Sequence, residues 1–435
     1  MTALALKPPI TTDPFQEDFA ANAANLPGAG VAWLDQRRAR AMDAFAGVGV
    51  PSRRVEAWKY TDLAATLEGA LEPAKRFDGA VEDRGALSGA GPRITLINGF
   101  LRSADVTAGI DIVDLSEIGN NTPDWVRQNL GLLASGADQP LGAASLALMR
   151  GGVALRVRAP GTSLNLNFVN VVGRRDSVSH VRVLIVIEGD ASLRLIETHI
   201  GEDTDKSLTN LGVELLLRPG AKLEHVRLQA EPSSKLHIGS IGAKLENNAE
   251  YRALLSAVGA SLSRLDAVVQ LAGEGAQATL HSVAALQSGI ADVTTVMDHA
   301  KPHTTSRQLF KSVVGGRGRS VSQGRVLVRA GAVKSDSHQL FKALLLSPRA
   351  EADAKPELEI FADDVVCGHG TAIGALDDDA LFYLRARGIP EHEAKGLLIR
   401  AFLDDAIEGF VDASVHDALW QRFDTALAAI GEEPK

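Results

Sequence analysis

The chain of 435 residues holds one cysteine, Cys367, so it cannot close an internal disulfide. Aromatic residues make up only 5%. Exposed stacking platforms for sugars are scarce at that level. Positive charge is not in surplus, and the formal net charge is −9. A modestly acidic chain lacks the basic stripe that nucleic-acid binding requires. No stretch approaches the ~20 apolar residues that span a bilayer. The N-terminal MTALALKPPITTDPF has no basic region followed by a long apolar run, so it reads as neither signal peptide nor membrane anchor. The G-x-S-x-G elbow, the Walker A loop and H-E-x-x-H are missing. Together these absences point to a cytoplasmic protein that binds neither nucleic acid nor membrane.

What is present is small and repetitive. Alanine, glycine, valine and leucine abound, which suits close-packed layers better than one large mixed core. Residues 12–75 read as helical. TTDPFQEDFAANAA offers Thr and Asp caps before a first-turn proline. VAWLDQRRARAMDAFAG aligns Leu34, Arg38, Ala41 and Phe45 on one face and stops at Gly47. SRRVEAWKYTDL (52–63) reads as a turn or helix start that packs Trp58 and Tyr60 onto the body. From 93 to 375 short β-branched and aliphatic runs alternate with turns, as in VALRVR and LNLNFVN. The turns Gly-Asp-Ala, Pro-Gly-Ala, Asn-Asn-Ala and Glu-Gly-Ala end on Ala191, Ala221, Ala249 and Ala276, at intervals of 30, 28 and 27 residues. Such a period marks a solenoid, and short strands at that period suggest a β-helix. A sandwich of regular hairpins is the competing reading. From 376 the pattern is helical again, with an apolar stripe of Leu398, Ile399, Phe402, Leu403, Ile407 and Phe410. This tail either covers the solenoid end or presents a docking face. The helices at both chain ends suit capping of the solenoid.

Two clusters could carry chemistry. His299 and His303 lie four apart, but Pro302 between them disfavours a shared helical face, so structural turns are the better reading. DDVVCGHGTAIG (363–374) places Cys367 and His369 two apart. In a strand they face the same side and could hold a metal together. A buried thiol beside a structural histidine is the alternative. Asp377–Asp379 suit a helix N-terminus.

The run HAKPHTTSRQLFKSVVGGRGRSVSQGRVLV and the later KSDSHQLFKALLLSPRAEADAKPELEIFADDVVCGHGTAIGALDDDALFYLRARGI resemble the SufB/SufD family of the SUF iron–sulfur cluster assembly scaffold, on its SufD side. The carriers are TTSRQLFK, a Gln-Gly-Arg-Val turn, KPELEI, DDV-C-HG and LFYLRARGI. RRVEAWKYTDL resembles the family's helical-cap motif, and residues 76–160 match least. Gly370 stands where the SufB side carries a glutamate. The resemblance implies a mainly β protein, with a right-handed parallel β-helix core (93–375) between N-terminal (1–92) and C-terminal (376–435) α-helical domains. It implies a non-catalytic scaffold subunit that pairs with a SufB-like homologue through β-helix ends. A SufC-like ATPase would bind the helical tail, with Leu381, Tyr383, Leu398 and Phe402 as candidate contacts. It places His369 at the interface as a cluster or iron ligand, with Cys367 as the preceding cysteine. Gly368 replaces the family's small polar residue and is expected to loosen that strand. A cluster usually takes about four thiolates, so no cluster is held stably by this chain alone, and a transient cluster or iron is shared with a partner. A solenoid edge without its natural partner can pair with itself, so a homodimer is open to the isolated chain. Two rival readings remain: a stand-alone carbohydrate-active β-helix enzyme, and a homodimeric metal-binding protein with two Cys367–His369 pairs across a two-fold axis.

Overall fold

The computed structural model describes residues 13–67, 71–81, 86–105, 108–171, 177–202 and 206–428. Residues 1–12, most of the segment read for targeting with its Thr11 and Thr12 caps, and residues 429–435 fall outside them.

Two ten-stranded sheets face each other. From Gly151–Val157 to Val366–Gly374 successive strands alternate between them. Every neighbour pairing within a sheet along this stretch is parallel. This is a parallel β-solenoid, and the sandwich of hairpins is excluded. The interval in the sequence is the coil itself: Lys222 pairs with Ser192 on one side and Glu250 on the other, and Glu250 pairs with Gln277. Ala191, Ala221, Ala249 and Ala276 are buried, one per coil. The residue before each alanine has a positive φ: Asp190, Gly220, Asn248 and Gly275. Glycine, asparagine and aspartate tolerate that left-handed backbone best. His303, Lys334 and Asp364 continue the series at φ 58°, 61° and 55°.

Alternate residues of each strand fill the interior, among them Leu195, Leu215, Tyr251, Val269 and Phe310. The outer faces are apolar too, which is why many strands read as continuous hydrophobic runs. One sheet's outer face, with Leu184, Leu208 and Ile238, packs against Phe15, Leu34, Phe45 and Trp58 of the N-terminal segment. Asp13 caps the first helix, Pro14–Asn22, through its carboxylate. The helix Ala32–Ala46 buries Leu34, Arg38, Ala41 and Phe45, the face expected, and Gly47 follows it. Two further helices, Asp124–Asn129 and Pro140–Ala147, interrupt the strand region. The second is apolar all round and wholly buried.

The helical tail does not cap the solenoid. Helices Asp378–Ala386, Glu391–Ile407 and Ala413–Ala428 run back along the flank. Ile399, Leu403, Ile407, Trp420 and Phe423 pack on Ile196, Val226, Leu254, Val283 and Val313 of the other sheet's outer face. The tail's stripe needs an apolar surface, and that face supplies one along several coils. Polar contacts fix the seat: Lys311 Nζ donates to the Phe402 carbonyl at 2.6 Å, and Arg194 pairs with Asp412 at 3.2 Å. The two ends of the solenoid therefore differ. At the N-terminal end the outermost strands are antiparallel to their neighbours, Phe100–Ala104 in one sheet and Ile110–Asp114 in the other. At the C-terminal end the strands Glu351–Ile360 and Val366–Gly374 are the outermost of their sheets.

Candidate functional site at the open end

The strand Val366–Gly374 is rich in glycine and has little strand propensity of its own. It forms because Asp336–Leu344 templates it through an unbroken parallel register, Ser337 opposite Cys367 and Gln339 opposite His369. Gly368 does not loosen it, since the pairing runs through His338–Gly368 without a shift. Cys367 and His369 consequently share one face. That face is the interior, because the register partners two residues on, Phe341 and Phe310, are buried in the solenoid core and stacked with centroids 4.9 Å apart. Cys367 is half-buried against that core, and His369 is exposed at the mouth.

Burial pushes the Cys367 thiol above its ordinary value; hydrogen bonding to the Ser337 backbone opposes this, and the Asp336 charge adds to it. The thiol is therefore protonated at neutral pH unless a metal or a cationic partner approaches. The turn before the strand is pinned by Lys334, whose ammonium meets Asp364 at 2.5 Å. Around the mouth Ile360, Phe361, Val366 and Ile373 are exposed. Outermost strands that carry apolar side chains and free backbone groups are a template for pairing.

No group of three or more metal-capable side chains forms among the described residues. Cys367 and His369 are thus two donors at an open mouth rather than a closed coordination shell. His299 lies away from them, buried, with Nδ1 2.8 Å from Thr304 Oγ1 and Nε2 2.9 Å from Ser306 Oγ. His303 holds a left-handed turn position. Asp377 caps the helix Asp378–Ala386. The Gln-Gly-Arg-Val segment is not a turn: it lies inside the strand Arg319–Val328, paired on both sides. Gly324 is there because Phe341 and Gln339 fill the space of its missing side chain.

Of the four tail residues singled out, Tyr383 is exposed, while Leu381, Leu398 and Phe402 are half-buried. Phe402 packs under Lys311, whose Nζ sits 4.8 Å from the ring centroid. The exposed apolar residues beside Tyr383 are Phe382, at 74%, and Leu397. Sequence reading passed over both, since helical periodicity marks a face without saying which face is covered. It also missed an interior network: Glu197 meets His199 Nε2 at 2.5 Å and Arg227 Nε at 2.8 Å, and His237 Nδ1 meets Glu231 at 2.6 Å. These groups are enclosed and bonded to one another, with His199 Nδ1 left without a partner among the described residues, so they form a polar core inside the solenoid. The signal was available as polar residues at inward positions of LRLIETHI and KLEHVRLQ.

Two family models match the chain. The model described as "SUF system FeS cluster assembly, SufBD core domain" covers residues 169–402, and "SufBD protein N-terminal region" covers 11–74. The iron-sulfur cluster assembly protein SufD of Escherichia coli is 28% identical over 87% of this chain and 90% of its own length. The chloroplastic protein ABCI7 of Arabidopsis thaliana is 30% identical over 84% of this chain and 80% of its own. A SufBD family protein of Synechocystis is 26% identical over 89% and 90%.

Proposed function

This chain belongs to the SufBD family of the SUF iron–sulfur cluster assembly system, and from that premise we propose that it is a scaffold subunit whose open solenoid end docks a SufB-like homologue. The observation that carries this reading is the asymmetry of the two ends. One ends on short antiparallel strands that carry none of the large exposed apolar side chains. The other leaves two outermost strands, four exposed apolar side chains and the Cys367–His369 pair together. Docking there would cover the apolar rim and bring a partner's thiolates to the mouth.

In this reading an iron ion or nascent cluster is cargo, held between subunits and not retained by this chain alone. His369 contributes a neutral borderline donor from the mouth. Cys367, half-buried with a raised pKa, becomes a ligand only when bound metal displaces its proton. The exposed Phe382, Tyr383 and Leu397 of the tail form a surface for a SufC-like ATPase. No helix among the described residues is long and apolar enough to cross a membrane, and the lone free thiol fits a reducing cytosol.

The test is co-expression of the tagged chain with a SufB-like homologue and a SufC-like ATPase. Co-purification of both is expected. Recovery of the chain without the homologue would sink the proposal. His369→Ala should leave the complex assembled but poor in iron and sulfide.

A further inference from the structure

The interior column that ends at His369 contains a polar side chain with nothing to bind. Leu280, Gln308, Gln339 and His369 are successive register partners. Gln308 is anchored, because its Oε1 accepts from Thr295 Oγ1 at 2.6 Å. Gln339 is only 2% exposed. Yet neither its Oε1 nor its Nε2 has a hydrogen-bond partner among the described residues. Its amide reaches across the interior: a Cβ placed on Gly324, in the opposite sheet, would lie 2.9 Å from Gln339 Nε2. An enclosed, unpartnered amide costs stability, and an apolar side chain of the same length would not. His369 stands one strand beyond it, about 4.8 Å along the stack.

We propose that Gln339 is a positioning residue for His369: its Oε1 accepts the imidazole N–H while the other ring nitrogen takes metal-bearing cargo at the mouth. A metal-ligating imidazole ordinarily donates its remaining N–H to a carbonyl or carboxylate, which fixes the tautomer and the ring plane. At the rim of this solenoid the unused acceptor in the same column is the Gln339 amide. The inference rests on the reading of His369 as an interface ligand.

The experiment uses the co-expressed complex with Fe(II) as the probe, and thermal melting of the chain. Gln339→Met removes both polar atoms at similar length, and Gln339→Glu keeps an acceptor. Gln339→Met is expected to melt above the parent chain, while Fe(II) affinity of the complex falls about tenfold or more. Gln339→Glu is expected to hold affinity within about threefold of the parent. A lower melting temperature for Gln339→Met, unchanged Fe(II) binding, or a loss that Gln339→Glu does not relieve each overturns the assignment. His369→Ala, run in parallel, separates this from the premise. If it binds Fe(II) like the parent, the interface-ligand reading fails and Gln339 falls with it. If it loses binding while Gln339→Met keeps it, only the role of Gln339 falls.

Discussion

Ser306 and Ser337 meet hydroxyl to hydroxyl at 2.7 Å across adjacent coils, and Cys367 is the next residue in their column. Below them the imidazole of His299 closes on Ser306. The column is a polar ladder inside the solenoid, and its last rung is the thiol. A serine there would continue the ladder, whereas the cysteine ends it with a softer, weakly hydrogen-bonding group.

That placement predicts a sluggish thiol. Burial raises the Cys367 pKa, and only the thiolate attacks an alkylating agent. Iodoacetamide should modify the native chain at pH 7 at least about threefold more slowly than free cysteine, with the rate climbing as pH rises. Mass spectrometry against a urea-unfolded control measures this. A native rate equal to the control would contradict it.

A second expectation concerns acid. Burial is the main cause that lowers His180 to about 3, His199 to about 4 and His299 to about 4. Unfolding returns them to about 6.5. The unfolded chain then binds more protons, so stability falls as pH drops from about 6.5 to 4. His299 alone accounts for up to about 3 kcal/mol over that window. Burial works to raise Glu231, but the charge and hydrogen bond of His237 outweigh it and hold the carboxyl at about 2. Its contribution is present above about 4.5 and is lost as pH falls toward 2. Urea unfolding from pH 7 to pH 4 should show the slope, and His299→Gln should flatten it. Parallel slopes for variant and parent would refute the assignment.

The N-terminal segment straps several coils, and this gives a third prediction. Trp58 is buried under the Arg264 guanidinium, 3.9 Å from the ring centroid. Arg264 is itself held between Asp266 and Asp292. Farther along, Gln323 Nε2 donates to the Ala57 carbonyl at 3.2 Å, and Lys355 reaches Glu56 at 2.7 Å. Trp58→Ala should cost about 3–5 kcal/mol, from the cavity and the lost stacking. Trp58→Phe should recover part of it. Equilibrium urea unfolding decides, and a loss below about 1 kcal/mol would show that the strap is peripheral.

How far the sequence reached follows from which forces are local. The coil interval was legible because each turn needs one left-handed residue and one small one, and Asp190–Ala191 through Gly275–Ala276 satisfy that rule openly. It faded at His303–Thr304 and Lys334–Ser335, where hydrogen-bonded hydroxyls replace the alanine: Thr304 Oγ1 and Ser335 Oγ lie 2.9 Å apart. The shared face of Cys367 and His369 followed from strand alternation alone. That this face is the interior did not, because it depends on the stack of Phe310 and Phe341 two positions along. Gln339 was invisible for a different reason. Nothing in SDSHQLFK marks its amide as enclosed and unpartnered, since that requires Gly324 on the opposite sheet. The seat of the tail was equally non-local: the stripe from Leu398 to Phe410 was plain, but its partner is an outer sheet face assembled from several coils.

The open end gives the last prediction. Phe361 and Val366 are 65% and 60% exposed on the final turn and strand, so they contribute little to folding. Changing both to aspartate should alter stability by only about 0.5 kcal/mol per site. The same changes place charge at the rim of an edge whose backbone groups are unpaired, and charge is what blocks edge-to-edge pairing. The double variant should therefore melt like the parent, yet fail to co-purify with a SufB-like homologue. In isolation it should run as a smaller species by light scattering wherever the parent self-associates. A double variant that still captures the homologue would move the interface elsewhere, since no other described part of the solenoid offers outermost strands and exposed apolar side chains beside a metal-capable pair.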